Sequence, residues 1–186
     1  MGGGRSSQPE YVMIDEQLDQ VAAITRRLQI ALRRGDLDAI ACCYSPSAEY
    51  SDPVLGNLGA GSARRAWSLI LPLLRSPSWR FSIEDVGLFS SRSSTRLAYV
   101  FAPTGRTVSL DIATVLYVRD GSIVRHDDDF CLSAWSKGLP FPHCLVARSR
   151  SFRQQVNNEA RRLAGSPARR GTAGGAVDAA SWDGIV

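Results

Sequence analysis

The chain has 186 residues, of which 44% are hydrophobic and 22% are charged. This composition suits one soluble globular domain with a sizeable core and flexible ends, and it contains no long apolar run that predicts a transmembrane segment. The formal charge of +4 raises the question of a nucleic-acid partner. Many of the arginines come late in the chain, with no recognition motif or aromatic platform, so neither nucleic acid nor a membrane is the expected partner.

The cysteines, Cys42, Cys43, Cys131 and Cys144, show no paired spacing typical of a metal site. No signal peptide is evident in the sequence. We therefore predict reduced, mostly buried thiols in a cytoplasmic protein without a bound metal.

Two helices are predicted near the amino terminus. Residues 1–10 are rich in Gly and Ser and predict a disordered arm. From Tyr11 to Arg34 apolar residues recur at intervals of three and four, which predicts an amphipathic helix that stops at Gly35. Asp36 is placed to cap a short second helix, LDAIACCY, which Ser45-Pro46 would end.

The next segment alternates. SAEYSDPV predicts a short strand with Ala48, Tyr50 and Asp52 on one side. The glycines from Gly56 to Gly61 lack the spacing of a phosphate-binding loop and predict a turn. Ser62 is placed to cap a third helix that carries Trp67.

Two more strands are predicted over Trp79–Phe89 and Thr95–Phe101, with SSRSS as the turn between them. Pro103-Thr104-Gly105 would then lead into a long hairpin from Thr107 to Trp135. Its second strand carries one histidine and three consecutive acids, HDDDF.

The register of this hairpin decides which acids face the core. A two-residue turn at Asp120-Gly121 would pair Ala113 with Asp128, whereas a three-residue loop from Arg119 to Gly121 would pair Ile112 with Asp128. We favour the three-residue loop, because it gives one consistent apolar face. That face comprises Leu110, Ile112, Thr114, Leu116, Val124, His126, Asp128 and Phe130, and it leaves Asp127 and Asp129 outside.

The domain is predicted to span residues 11–164, with its core over 22–135. A Pro-containing loop follows Trp135, an amphipathic helix is predicted over 151–163, and residues 165–186 have the composition of a disordered tail. The order of elements predicts an α+β fold, in which a curved antiparallel sheet wraps around the N-terminal helices and encloses a pocket.

The sequence resembles the nuclear transport factor 2-like superfamily, whose cone-shaped fold includes SnoaL-like polyketide cyclases, ketosteroid isomerases and limonene epoxide hydrolases. The resemblance lies in LRRGDLDAIACCYSPSAEYSDPVLG, in PTGRTVSLDIATVLYVRDGSIVRHDDDF and in Trp135. It implies the cone fold, and it says much less about the reaction, because one fold supports many chemistries.

The resemblance also implies roles for single residues. Asp52, in SDP, falls where ketosteroid isomerases place their general-base Asp in EDP, but Leu28 and Thr114 replace both of their oxyanion donors. Asp128 falls at the catalytic acid of limonene epoxide hydrolases, and Tyr50 and Asp52 fall where those enzymes hold the attacking water. Their other two triad members would fall at Thr95 and Leu97, so the triad is incomplete.

These predictions together give a mostly apolar cavity with a few polar groups, typical of a small-molecule site. The candidate catalytic residues are Asp128, Asp52 and His126. The candidate substrate-binding residues are Tyr50, Tyr99, Thr114, Leu97, Phe101, Leu110, Ile112, Phe130 and Trp67. Two carboxylates in one apolar hollow would disfavour each other's ionisation, so one would act as base and the other as acid, with His126 relaying or orienting the proton.

The leading hypothesis is a cofactor-independent acid/base enzyme, of the cyclase or isomerase type, acting on a small, largely apolar or polyketide-like molecule. The alternatives are an epoxide hydrolase with an altered triad and a non-catalytic module for ligand binding or dimerisation. Structural roles stay open for Asp52 as a turn residue and for His126 as a wall residue. A homodimer is expected through the outer face that carries Ser109, Asp111, Ala113, Val115 and Tyr117.

Overall fold

The computed structural model describes residues 8–139 and 149–165. The helices are α1 (Gln8–Arg34), α2 (Leu37–Ala41), α3 (Ala63–Ile70), α4 (Leu132–Trp135) and α5 (Arg150–Gly165), with 3₁₀ turns at Leu71–Leu73 and Ser136–Gly138. The strands are β1 (Tyr44–Asp52), β2 (Gly56–Asn57), β3 (Leu74–Val86), β4 (Ser90–Phe101), β5 (Arg106–Arg119) and β6 (Ser122–Phe130).

The strands form one six-stranded sheet in the order β2-β1-β6-β5-β4-β3. The predicted α+β class, with a curved sheet around N-terminal helices and an extra C-terminal helix, is confirmed. The sheet is mixed rather than wholly antiparallel, because β1 lies parallel to β6. A parallel pair needs a long crossover connection, and α3 with β3 to β5 supplies it here.

The first two helices meet at a glycine corner. Gly35 has φ +63, and the amide of Asp36 donates to the carbonyl of Ala31, which ends α1 in the manner of a left-handed helix cap. The Asp36 carboxylate then accepts from the amide of Ala39 at 2.9 Å, so the predicted cap of α2 is confirmed.

The second helix is shorter than predicted. It ends at Ala41, and β1 begins at Tyr44, so Ser45 and Pro46 lie inside the strand rather than between helix and strand. The strand tolerates Pro46 because its pairing with β6 is irregular between Tyr44 and Glu49, where no regular ladder needs a donor.

Two further local predictions were wrong. SSRSS is not a turn but the start of β4, because Ser91 and Ser93 continue the inward alternation of Thr95 and all three are buried. The turn lies instead at residues 87–89. Ser62 stands at the N-cap of α3, but its hydroxyl donates to the carbonyl of Gly59 at 2.6 Å and ties the glycine-rich turn down instead of capping the helix.

The hairpin keeps the predicted inner face except at Val124, whose place is taken by the buried Ile123. Its turn is the two-residue Asp120-Gly121, in which both residues have positive φ, and not the favoured three-residue loop. Val118 pairs with Ile123 and Tyr117 with Arg125, so Val124 is an extra, bulged residue. With the two-residue turn alone, His126 and Asp128 would face outward. The extra residue in the bulge turns them back to the inner face. Thr114 therefore pairs with Asp128, and His126 and Asp128 face inward as predicted.

The core lies between the helices and the inner face of the sheet. Its larger part packs α1, α2 and α3 on β1 and β6, and a smaller part surrounds Leu97, Tyr99 and Leu110 on β4 and β5. Of the three cysteines that the structure describes, Cys43 is buried while Cys42 and Cys131 are exposed, so the prediction of mostly buried thiols was wrong for this set. Cys144 lies outside the described residues.

The predicted ends of the domain are only partly covered. The first helix begins at Gln8, three residues before the predicted start, and α5 spans Arg150–Gly165 against a predicted 151–163. The rest of the arm and the tail lie outside the described residues. Among the helices that can be described, none is long and apolar enough to cross a membrane.

Candidate active site

The two candidate carboxylates meet because β1 and β6 run side by side in the same direction. The parallel register pairs Tyr50 with His126 and Ser51 with Asp127, which brings Asp52 level with Asp128. Since side chains alternate along a strand, all four residues with even numbers point to the inner face. Tyr50, Asp52 and His126 are buried, and the side chain of Asp128 is 8% exposed.

Asp128 is held by three side chains. Its Oδ1 accepts from the Thr114 hydroxyl at 2.6 Å and lies 2.9 Å from His126 Nε2. Its Oδ2 lies 3.2 Å from the Tyr50 hydroxyl. The two contacts to Oδ1 fix the carboxylate from behind, so Oδ2 is the atom that reaches Tyr50.

A chain of hydrogen bonds fixes His126 in turn. Trp67 Nε1 can only donate, and it does so to Tyr44 Oη at 2.8 Å. Tyr44 Oη lies 2.6 Å from His126 Nδ1, and its own proton is therefore free to be donated there. In neutral His126 the proton then resides on Nε2 and points at Asp128. Burial raises the pKa of Tyr44 well above its usual value, so the phenol keeps its proton.

Asp52 is anchored to the turn that follows it. Its Oδ1 accepts from the amides of Val54 at 2.7 Å and Leu55 at 2.5 Å, as an Asp at the start of a turn often does. Its Oδ2 accepts from the Tyr50 hydroxyl at 3.1 Å. The turn role that the sequence left open is therefore present, and it leaves Oδ2 directed at Tyr50.

The two carboxyl groups differ in acidity. Burial raises the pKa of Asp52 to about 6, against the lowering effect of the two turn amides. Burial also opposes ionisation of Asp128, but the charge of protonated His126 and the hydrogen bonds from His126, Thr114 and Tyr50 outweigh it and lower the pKa of Asp128. At neutral pH Asp128 is thus ionised and can act as a base, whereas Asp52 takes up a proton as the pH falls towards about 6.

A mostly apolar cavity opens beside this pair. It contains about 840 Å³ of space free of atoms, counting the solvent at its mouth. Asp52, Asp128 and Tyr50 form its polar end. Seven other predicted residues line it, namely Leu97, Tyr99, Phe101, Leu110, Ile112, Phe130 and Trp67. This composition is typical of a small-molecule pocket.

Thr114 and His126 do not line this cavity, although they were predicted to. They lie behind Asp128 and line a smaller neighbouring cavity of about 370 Å³, which Asp128, Trp67 and Ile112 share. Gln29 also lines it, and its buried amide nitrogen has no hydrogen-bond partner among the described residues. The geometry therefore makes His126 and Thr114 supports of Asp128 and not groups that would touch a substrate in the larger cavity.

Three residues with clear places in the site were missed from the sequence. Tyr44 was assigned to the second helix, and the alternation of Ala48, Tyr50 and Asp52 does not reach it, because Pro46 is exposed and the pairing of β1 is irregular before Glu49. Leu139 and Val156 line the large cavity from beyond the hairpin. Val156 belonged to a predicted apolar stripe, but nothing in the sequence showed where that helix would pack.

Within the described parts of the chain, no three His, Cys, Asp or Glu side chains are grouped to hold a metal ion. The polar end of the cavity offers two carboxylates and one phenol, a set suited to holding and moving protons.

Comparison with known families gives one match. The model of the SnoaL-like domain matches residues 24–126, which include α1 from its middle onward, all of β1 to β5, and β6 as far as His126. No curated protein matches the chain.

Many solved structures are similar in fold. An LEH-like epoxide hydrolase from M. tuberculosis has 21% identity and a TM-score of 0.51, and the match covers 69% of this chain and 94% of that one. A Catenulispora acidiphila protein with a ketosteroid isomerase-like fold, solved with trimethylamine, has 15% identity, a TM-score of 0.55 and coverages of 63% and 93%. A candidate polyketide cyclase from Silicibacter sp. TM1040 has 15% identity, a TM-score of 0.53 and coverages of 65% and 96%.

Proposed function

Because the chain belongs to the SnoaL-like domain family, we propose that it is an enzyme of acid/base chemistry, of the cyclase or isomerase type, acting on a small and largely apolar molecule. One observation carries the proposal. Two buried carboxyl groups of different acidity contact the same phenol at the polar end of an apolar cavity. Pairs of titratable groups whose surroundings push their pKa values apart are typical of acid/base sites.

The proposed reaction begins with the ionised carboxylate. Asp128 Oδ2 removes a proton from a carbon next to a carbonyl group of the bound substrate, and Asp52, when protonated, supplies a proton to the product. The Tyr50 hydroxyl lies between the two and can donate to only one carboxylate at a time, so it links their protonation states. The residues behind Asp128 keep its reactive oxygen turned towards Tyr50.

The proposed roles assign His126 and Thr114 to positioning. Both bind Asp128 Oδ1 and neither lines the large cavity. In this scheme His126 keeps Asp128 ionised and oriented, which is the orienting role considered from the sequence. A substrate bound against the apolar walls would displace water from the cavity, and this would strengthen the electrostatic interactions between the carboxyl groups and the substrate.

Proton exchange tests the proposal and does not require the natural substrate. Small apolar ketones and enones are incubated with the protein in D₂O, and exchange at the carbon next to the carbonyl is followed by NMR. We expect catalysed exchange that falls by about 10² or more in Asp128→Asn, the scale of a lost general base. Asp129→Asn is the matched control, because that neighbouring acid is exposed on the outer face. Unchanged exchange in both Asp128→Asn and Asp52→Asn would reject the proposal.

Epoxide hydrolysis is the second candidate function. A protonated Asp52 beside an ionised Asp128 provides an acid for the epoxide oxygen and a base for water, which that reaction also needs. Diol formation from small apolar epoxides, with ¹⁸O taken up from labelled water, would distinguish it from proton exchange next to a carbonyl. A protein that binds both classes and converts neither would be the ligand-binding module.

A further inference from the structure

The last described helix touches the candidate site at two points. Val156 of α5 is buried and lines the large cavity, so α5 is part of its wall. The next residue, Asn157, donates from Nδ2 to the carbonyl of Leu55. This helix follows the region that matches the SnoaL-like domain.

The second contact falls on the turn that anchors Asp52. The amides of Val54 and Leu55 donate to Asp52 Oδ1, while the carbonyl of the same Leu55 accepts from Asn157. One peptide segment is therefore held from two sides, by Asp52 within the domain and by α5 from outside it. Any movement of this turn would change the surroundings of the Asp52 carboxylate.

Two neighbouring features strengthen this attachment. Arg161, one helical turn after Asn157, donates from Nη2 to the carbonyl of Asn57 at 2.6 Å. Gly56, between the two bound carbonyls, has φ +66, and a Cβ there would lie 2.5 Å from Asn157 Nδ2. A larger residue at this position would displace the amide end of the Asn157 side chain from the turn, and the positive φ also favours glycine.

We propose that α5 completes the site from outside the family domain, and that Asn157 is a positioning residue that fixes the turn binding Asp52. The proposal deepens the proposed function, since it concerns the proposed acid. Its physical content is independent of turnover, because it concerns the hydrogen bonds and acidity of Asp52 alone. Asn157 acts through the Leu55 peptide and does not contact the cavity's carboxylates itself.

The test follows Asp52 directly in the full chain. The protein is labelled with ¹³C at aspartate carboxyl groups, and Asp52 is titrated by NMR in the wild type and in Asn157→Leu, a variant of similar shape without the donor. The turn amides lower the pKa of Asp52, so loosening the turn should raise it. We expect a rise of about half a unit or more, together with faster hydrogen exchange at the amides of Val54 and Leu55.

The neighbouring residue supplies the control. Asn158 is exposed on the same helix, and Asn158→Leu should leave both the titration and the exchange as in the wild type. Arg161→Ala, which removes the outer contact, should shift both in the same direction as Asn157→Leu but less. Identical Asp52 titration and amide exchange in Asn157→Leu and the wild type would overturn the proposal, whatever substrate the enzyme uses. Loss of turnover in Asp128→Asn, by contrast, would bear only on the proposed function.

Discussion

At the scale of single residues, two aspartates of the same site have different acidities because their hydrogen-bond partners differ. Both are buried, yet Asp128 gains a histidine, a hydroxyl and a phenol, whereas Asp52 gains two backbone amides and shares the phenol. The nearby imidazole decides the difference, because its positive charge when protonated favours ionised Asp128, while Asp52 has no such partner.

The raised pKa of Asp52 makes the free energy of unfolding depend on pH, and the direction of that dependence can be measured. The pKa of Asp52 is raised from 3.8 to about 6, so the folded chain binds this proton more tightly than the unfolded chain. The resulting stabilisation is complete below about pH 4 and is lost as pH rises through 6. Two pKa units correspond to roughly 3 kcal/mol.

Asp52→Asn should therefore remove a pH dependence. We expect the wild type to lose roughly 3 kcal/mol of unfolding free energy through Asp52 between pH 4 and 7, and the variant to lack this loss. Urea unfolding at both pH values measures it, with Asp129→Asn as the exposed control. Asp128 contributes with the opposite sign. Because its pKa is lowered in the folded chain, its stabilising contribution is present at neutral pH and is lost only as the pH falls below the usual pKa of an aspartate. Parallel pH profiles for the wild type and Asp52→Asn would contradict the assignment.

At the scale of elements, the hairpin shows what local patterns can and cannot predict. Alternation on β5 and β6 was enough to place Asp128 and His126 inside, because a polar strand face inside an apolar core would be costly. The turn and bulge could not be told from the three-residue loop by the acids alone, since both arrangements put His126 and Asp128 on the inner face. The alternation of apolar residues predicts which residues of β6 face inward. It does not show where in the hairpin the extra residue lies.

Deletions in β6 test this interpretation. Deleting Val124 leaves Val118 paired with Ile123 and Tyr117 with Arg125, so Asp128 should stay inside and the variant should still fold cooperatively. Deleting Asp127 instead puts His126 and Asp128 on opposite faces of the strand, so it should abolish cooperative folding. Near-UV circular dichroism and urea unfolding of the two variants provide the measurement. A Val124 deletion that does not fold, or an Asp127 deletion that folds as well as the wild type, would show that the bulge has another role.

At the scale of the whole molecule, the contacts that the sequence did not predict are those between elements far apart along the chain. The parallel pairing of β1 with β6 has no turn to reveal it, yet it alone brings Asp52 beside Asp128. The packing of α5 on the Asp52 turn likewise joins residues about a hundred positions apart. Tyr44 was missed for a local reason, because Pro46 and the irregular pairing before Glu49 interrupt the alternation of β1.

We expect a second copy of this chain to cover the outer face of the sheet. Ser109, Asp111, Ala113 and Tyr117 are exposed there, and Val115 lies half-buried among them. Tyr117 is 42% exposed and has only the Arg125 guanidinium over its ring, at 5.6 Å, in the aromatic and cation–π contacts of the described residues. Arg92 and Asp127 pair with Val115 from the neighbouring strands, so the face carries charges of both signs beside Val115 and Tyr117. Aromatic residues are enriched in protein interfaces.

Light scattering should accordingly give a mass near twice the 20.2 kDa of one chain. Val115→Lys places a charge in the middle of the face, where two copies would bring it against its own counterpart, so this variant should be monomeric at concentrations where the wild type is not. Ile30→Lys is the control, because Ile30 is an exposed apolar residue on α1, and that helix packs against the inner side of the sheet. A wild type that stays monomeric at all concentrations would reject the dimer. The carboxylate pair would be unaffected, since it is built from one chain.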